Sequence, residues 1–440
     1  MNVAAVRNVV AAVAGLALAA SCATSDTDAI ARLGDAPPRS SFSAALVARG
    51  AKLAAIGDCR GCHTAAGGRA FAGGRPIETP FGTIYATNIT PDPATGIGLW
   101  PEAAFRRAMR DGVDRGGHHL YPAFPYDRFT LASDEDIRAI YAYLMTRPPV
   151  SAHPPQNRLS FPFNVRAFIG VWKALYFHPG PWRNDPSHDA RWNRGGELAE
   201  GLGHCSSCHS PRNAMGAERS DRHFDGGDAE GWHAYAIGAT SQSPVAWTEE
   251  AMRRYLRDGW QARHGVARGP MASVTRELAK ADDDDLAAIA HYIVSGMRQG
   301  ENRGTRGTTA ASADAAGERL YRDACARCHD GDEPLPFGGI ALAESIGVAG
   351  ESPRNLVNVI LYGLPGAGDR TAPIMPGYAG AMSDEQVAAL AGYLRAHFTD
   401  RAPWPDLGSE VAKARKEGQR IARTPAGGAG LDPARRGANR

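Results

Sequence analysis

Three times in this 440-residue chain a pair of cysteines two residues apart is followed at once by histidine: Cys59-Arg60-Gly61-Cys62-His63, Cys205-Ser206-Ser207-Cys208-His209 and Cys325-Ala326-Arg327-Cys328-His329. At this spacing two thiols can bond the vinyl groups of one porphyrin while the adjacent imidazole takes its iron, the attachment signature of a c-type haem. Histidine supplies 14 of the 440 residues, so three accidental repeats have odds on the order of 10⁻⁵. A structural zinc site wants two such pairs within roughly 12 to 20 residues, whereas these lie more than a hundred residues apart. A redox dithiol occupies one strand-to-helix turn and does not recur with the same trailing residue. The pattern predicts three covalent haem c groups, with His63, His209 and His329 on iron.

The length fits about three domains of roughly 100 to 120 residues, one per haem. A net charge of +2 and a pI near 8.2 give no case for a nucleic-acid partner. Six of the seven cysteines are used by the motifs, leaving Cys22. It ends a segment with Arg7, an apolar run from Val9 to Ala20 and then small residues, which reads as an export signal over 1–24. The run is too short to span a bilayer. Leu18-Ala19-Ala20-Ser21-Cys22 is similar to a lipoprotein processing site, although Ala19 stands where a larger aliphatic is usual. The alternative is an ordinary signal cleavage nearby. Export suits haem c and predicts a periplasmic protein on the outer face of the cytoplasmic membrane.

An internal repeat organises the remainder. Gly50 to Leu53, Gly195 to Leu198 and Gly317 to Leu320 each precede a first cysteine by five to seven residues. Downstream, 136–144, 285–293 and 386–394 share apolar positions at i, i+3, i+4 and i+7, with acidic or capping residues ahead of each. The unit is helix, haem motif, loops, helix. This predicts an all-α fold of three tandem class I cytochrome c domains: 43–150, 191–298 and 314–400, with linkers 151–190 and 299–313. Tyr143, Tyr292 and Tyr393 read as packing residues of the helix crossing.

A distal methionine is expected on a loop before each last helix. Met375 lies 18 residues before Tyr393, and Met271 lies 21 before Tyr292. In the first unit the corresponding place, 19 residues before Tyr143 and followed by proline, holds Phe124, which cannot ligate iron. The first haem must use His118 or His119, a displaced Met109 or Met145, or an open position. The two histidines, in a Gly-rich loop just upstream, are favoured.

Phe81 to Asp92, Thr95-Gly96-Ile97-Gly98, the Leu120 to Tyr126 stretch, and Gly201 to Cys205 with Ser210-Pro211-Arg212-Asn213 carry a family resemblance. Over about residues 45 to 400 the chain resembles the triheme cytochrome c subunits of bacterial membrane-bound dehydrogenases. The resemblance implies an electron-transfer subunit that is not itself the substrate-oxidising enzyme. Its partner would be a catalytic subunit of the molybdopterin, PQQ or FAD type, and its acceptor ubiquinone or another respiratory carrier. Alcohol and gluconate members typically carry methionine where this chain has Phe124. The Phe-containing form, with Asp127-Arg128-Phe129-Thr130, resembles the subunits that accompany molybdenum hydroxylases such as nicotinate or aldehyde dehydrogenase.

The linker from Phe161 to Phe177 is densely apolar and reads as interdomain packing, with a docking face or a membrane-surface helix as alternatives. The tail 401–440 carries nine basic and four acidic residues and is expected to be flexible or to touch anionic lipid in a peripheral membrane association. No nucleotide-binding glycine motif or nucleophile triad appears. A multihaem peroxidase, with the first haem open to peroxide, is the competing enzyme reading.

Overall fold

The computed structural model describes residues 35–298, 315–330, 341–364 and 375–423, with side chains to 418. The expected export signal with Cys22, the 299–313 linker and the last part of the tail lie outside the described residues. The fold is largely helical, but not purely so. Among the described residues seven short strands form three small antiparallel sheets, the largest joining Pro76–Thr79, Gly82–Tyr85 and Arg158–Leu159.

Three helix crossings dominate. The Ala44–Ile56 helix crosses Asp134–Met145, Ala190–Gly196 crosses Asp283–Gly296, and Ala315–Ala324 crosses Asp384–Phe398. One glycine of each first helix makes the crossing possible. A Cβ on Gly50 would overlap the Ala139 carbonyl and crowd Tyr143 Cβ; Gly195 meets Ala288 and Tyr292 in the same way, and Gly317 meets Ala389 and Tyr393. Backbone therefore touches backbone, and each tyrosine packs over the contact. Ser133 caps the second helix of the first pair by accepting from Asp136 N, and Ser383 with Gln386 forms a capping box in the third.

The described residues gather into two compact units. One holds 35–189, 196–204 and 213–217; the other holds 190–195, 205–212 and 218 onward. In the first, Tyr126, Trp172 and Ala217 form a buried cluster that Leu120, Phe124, Tyr176 and Phe177 complete. In the second, the second and third repeats share polar contacts. Asn355 Nδ2 donates to His233 O (2.7 Å), His233 N donates back to Asn355 Oδ1 (2.9 Å), and Asn358 Nδ2 donates to Gly231 O (3.0 Å).

Two expectations change here. The first part of the tail is a helix, Leu407–Arg423, with Val411 and Ala414 buried. Arg354, only 7% exposed, binds Glu410 and Glu417 at 2.6 Å each, and Arg415 binds Asp384 at 2.6 Å. These ion pairs, two from the helix's own glutamates to Arg354 and one from its Arg415 to Asp384, dock the helix. The apolar linker is only partly packed: its Ala167–Tyr176 helix buries Ile169 and Trp172 but leaves Val171 and Leu175 exposed.

Candidate haem sites

Each Cys-x-x-Cys-His run closes one tight turn. His63 N donates to Cys59 O (2.9 Å), His209 N to Cys205 O (3.0 Å) and His329 N to Cys325 O (3.1 Å). The turn sets the two thiols, three residues apart, on one face. Asp58 and His204, each just before a first cysteine, take left-handed backbone (φ 44° and 37°), which breaks the preceding helix so that the motif can turn away from it.

The imidazoles are oriented by backbone. His63 Nδ1 lies 2.7 Å from Thr87 O, and His209 Nδ1 lies 2.7 Å from Tyr235 O. A carbonyl only accepts, so Nδ1 carries the hydrogen and Nε2 keeps its lone pair, the arrangement a metal-binding histidine needs. Burial pushes both imidazoles below their ordinary value against the raising effect of those bonds, which keeps them neutral. For His329 the equivalent loop, 331–340, lies outside the described residues.

The distal loops share a frame that sequence reading missed. Gly112, Gly259 and Gly363, with φ of 58°, 69° and 68°, cap the Glu102–Asp111, Glu249–Asp258 and Arg354–Tyr362 helices. Twelve residues after each stands Phe124, Met271 or Met375. Met375 is fixed by paired backbone bonds to Leu364, 2.9 Å each way, and Met271 is the second residue of the Pro270–Leu278 helix. Phe124 packs edge-on against Phe129 with ring centres 5.2 Å apart.

The two histidines favoured for the first haem differ in their surroundings. His118 Nδ1 lies 3.3 Å from both Asp114 carboxylate oxygens. His119 Nδ1 lies 3.3 Å from Lys173 Nζ, and its carbonyl accepts from Arg166 (2.7 Å). An ammonium only donates, so the hydrogen of His119 sits on Nε2, the reverse of His63 and His209. Burial, then Lys173, lowers its imidazole pKa. Met109 and Met145 are buried within helices.

The residues fit a haem. A cavity of about 430 Å³ in the first unit is lined by Tyr85, Thr87, Asn88, Tyr121, Asn157 and Arg166, so it touches both the carbonyl loop of His63 and the loop leading to Phe124. In the second site Arg268, three residues before Met271, has a buried Nε with no hydrogen-bond partner among the described residues. A porphyrin carboxylate is the group such a nitrogen lacks. Thr87 and Tyr235 act through backbone carbonyls and leave no residue-type signal, and Arg268 has no counterpart at the same offset in the other two repeats, where Tyr121 and Ala372 stand.

Covalent anchoring turns, oriented neutral imidazoles and crossing helices define a c-type cytochrome. A family model described as cytochrome c matches residues 47–148, and one described as cytochrome c oxidase, cbb3-type, subunit III matches 312–394. The chain is 35% identical over 399 residues to the gluconate 2-dehydrogenase cytochrome c subunit of Pantoea cypripedii, covering 85% of this chain and 90% of that one. It is 34% identical over 385 residues to the fructose dehydrogenase cytochrome subunit of Gluconobacter japonicus, covering 80% and 79%. It is 46% identical over 388 residues to a subunit of the nicotinate dehydrogenase of Pseudomonas putida, covering 86% of this chain but only 32% of that longer protein. The chain belongs to the family of cytochrome c subunits of dehydrogenases, electron-transfer partners distinct from the substrate-oxidising subunit.

Proposed function

We propose that the chain is a triheme relay built as three tandem class I cytochrome c domains, with one haem c on each Cys-x-x-Cys-His motif. The observation that carries this reading is the threefold register: a crossing glycine before each motif and a capping glycine twelve residues ahead of Phe124, Met271 and Met375. Haem iron supplies one-electron exchange. The chain's own residues hold and tune it: His63, His209 and His329 on the proximal side, Met271 and Met375 on the distal side of the second and third sites. In the first site Phe124 takes the methionine register, His119 turns Nδ1 to the Lys173 ammonium, and the His118 side chain stands 66% exposed to solvent, which together favour an open sixth position over histidine ligation.

The relay takes electrons from a catalytic dehydrogenase subunit and delivers them to ubiquinone or another respiratory acceptor, from the periplasm at the outer face of the cytoplasmic membrane. The 46% identity to a nicotinate dehydrogenase subunit supports a molybdenum hydroxylase partner over a PQQ alcohol dehydrogenase or a flavin-dependent sugar dehydrogenase. Haem content and co-purification test it. Three haems per chain, with a molybdopterin protein and a small iron-sulfur protein alongside, are expected; a flavoprotein or quinoprotein partner would overturn the choice of catalytic subunit. An open first site also permits a peroxidase. Turnover of peroxide with an electron donor, absent in a relay, separates the two.

A further inference from the structure

Seven large apolar side chains are exposed among the described residues, and four of them lie within fifteen residues: Phe161 (79%), Val165, Val171 and Leu175 (62%). The inner face of the Ala167–Tyr176 helix is already occupied. Ile169 and Trp172 are buried, Trp172 Nε1 donates to Met215 O (3.0 Å), and Tyr126 packs edge-on to the Trp172 ring. Lys173 is drawn to the same side, donating to the Asp111 carbonyl and lying over the rings of Tyr126 and Phe177. Val171 and Leu175, one turn apart, face water together.

Charge identifies what covers this face. From Ile137 to Asn184 the chain has no carboxylate and six cations: Arg138, Arg147, Arg158, Arg166, Lys173 and Arg183. Arg158, Arg166 and Arg183 are exposed. The carboxylates nearest on neighbouring elements are Glu78, bonded to Thr83 opposite Arg158 on the sheet, Asp111, at the occupied side of the helix, Asp127, paired with Arg128, and Asp185, which accepts from Ser187 just past the stretch. An exposed apolar face among cations, without acid, matches the boundary of an anionic bilayer, where apolar groups enter the acyl layer and cations meet lipid phosphates. Ten residues of helix are too few to cross a bilayer, so the contact is with its surface.

We propose that Phe161 and the Val171–Leu175 face seat the chain on an anionic lipid surface, which rests on the membrane association proposed above and names its contact. The test uses haem-loaded full-length protein carrying Cys22→Ser, so that no lipid anchor contributes, sedimented with vesicles of phosphatidylcholine alone or mixed with phosphatidylglycerol. Binding to the mixed vesicles that weakens with salt is expected. A Phe161→Gln/Leu175→Gln double variant should bind about tenfold or more weakly with an unchanged haem spectrum, and Leu99→Gln, an exposed leucine elsewhere, should bind like the parent. A double variant that binds like the parent overturns the proposal. So does a parent that binds no vesicle; if the double variant then also loses a co-purifying dehydrogenase subunit, the face belongs to a protein partner. Failure of the relay reading shows separately, in haem content and reduction by the partner.

Discussion

The first and second haem sites share a proximal half and differ in the distal one. His63 and His209 each point Nδ1 at a backbone carbonyl 2.7 Å away, Thr87 in one site and Tyr235 in the other, and burial keeps both rings neutral. The residue supplying the carbonyl is free to change because only its backbone is used. Twelve residues past the capping glycine, however, one site has Met271 and the other Phe124. On the ligation proposed above, that single side chain would set the sixth ligand, and with it the potential and whether small molecules reach the iron.

Deleting anchors gives the largest expected effect. Cys59→Ala/Cys62→Ala and Cys205→Ala/Cys208→Ala should each remove one haem mass and about a third of the visible absorbance. They should differ in the near-infrared charge-transfer band of methionine-ligated ferric haem: the first variant keeps its full intensity, the second halves it. Equal losses would erase the distinction between the sites. Phe124→Met sharpens it further. Carbon monoxide should bind one ferrous haem per parent chain and none in the variant, whose band should grow by about half as a third methionine-ligated haem forms.

The crossings test whether the two sites rest on the same scaffold. Gly50→Ala and Gly195→Ala each drive a Cβ into a backbone carbonyl, Ala139 or Ala288. Each should cost roughly 3 kcal/mol, read as a fall in denaturation midpoint. A variant that unfolds like the parent would show that its helices do not cross there.

The Cys-x-x-Cys-His turns and the helix pairs were legible because each is a local pattern: a cysteine spacing and an apolar period of 3.6. The Leu407–Arg423 helix was not. Its basic composition reads as a solvated tail until Arg354, more than fifty residues upstream, is seen to bind Glu410 and Glu417. The small sheets escaped for a related reason. Two- to four-residue strands such as Trp260–Gln261 carry too few alternations to register as a period. Nor could sequence assign the hydrogen on His119, which depends on Lys173 arriving from the linker helix.

The distal loops offer a smaller contrast, in titration. The loop after Gly259 holds His264, stacked on Trp247 with ring centres 3.5 Å apart, and burial, aided by Arg263 against Glu344, pushes its pKa down to about 4. The folded protein therefore holds the neutral ring, while the unfolded chain takes up a proton near the ordinary value of 6.5. The sign follows: stabilisation is complete above about pH 6.5 and is lost as pH falls from there toward 4. Solvent reaches one side of the ring, which limits the loss to roughly 1 to 2 kcal/mol. His264→Phe keeps the stacking and removes the proton site. Between pH 7 and 4.5 it should lose less stability than the parent by about that amount, measured by denaturant unfolding, while parallel curves would place the proton uptake at other groups.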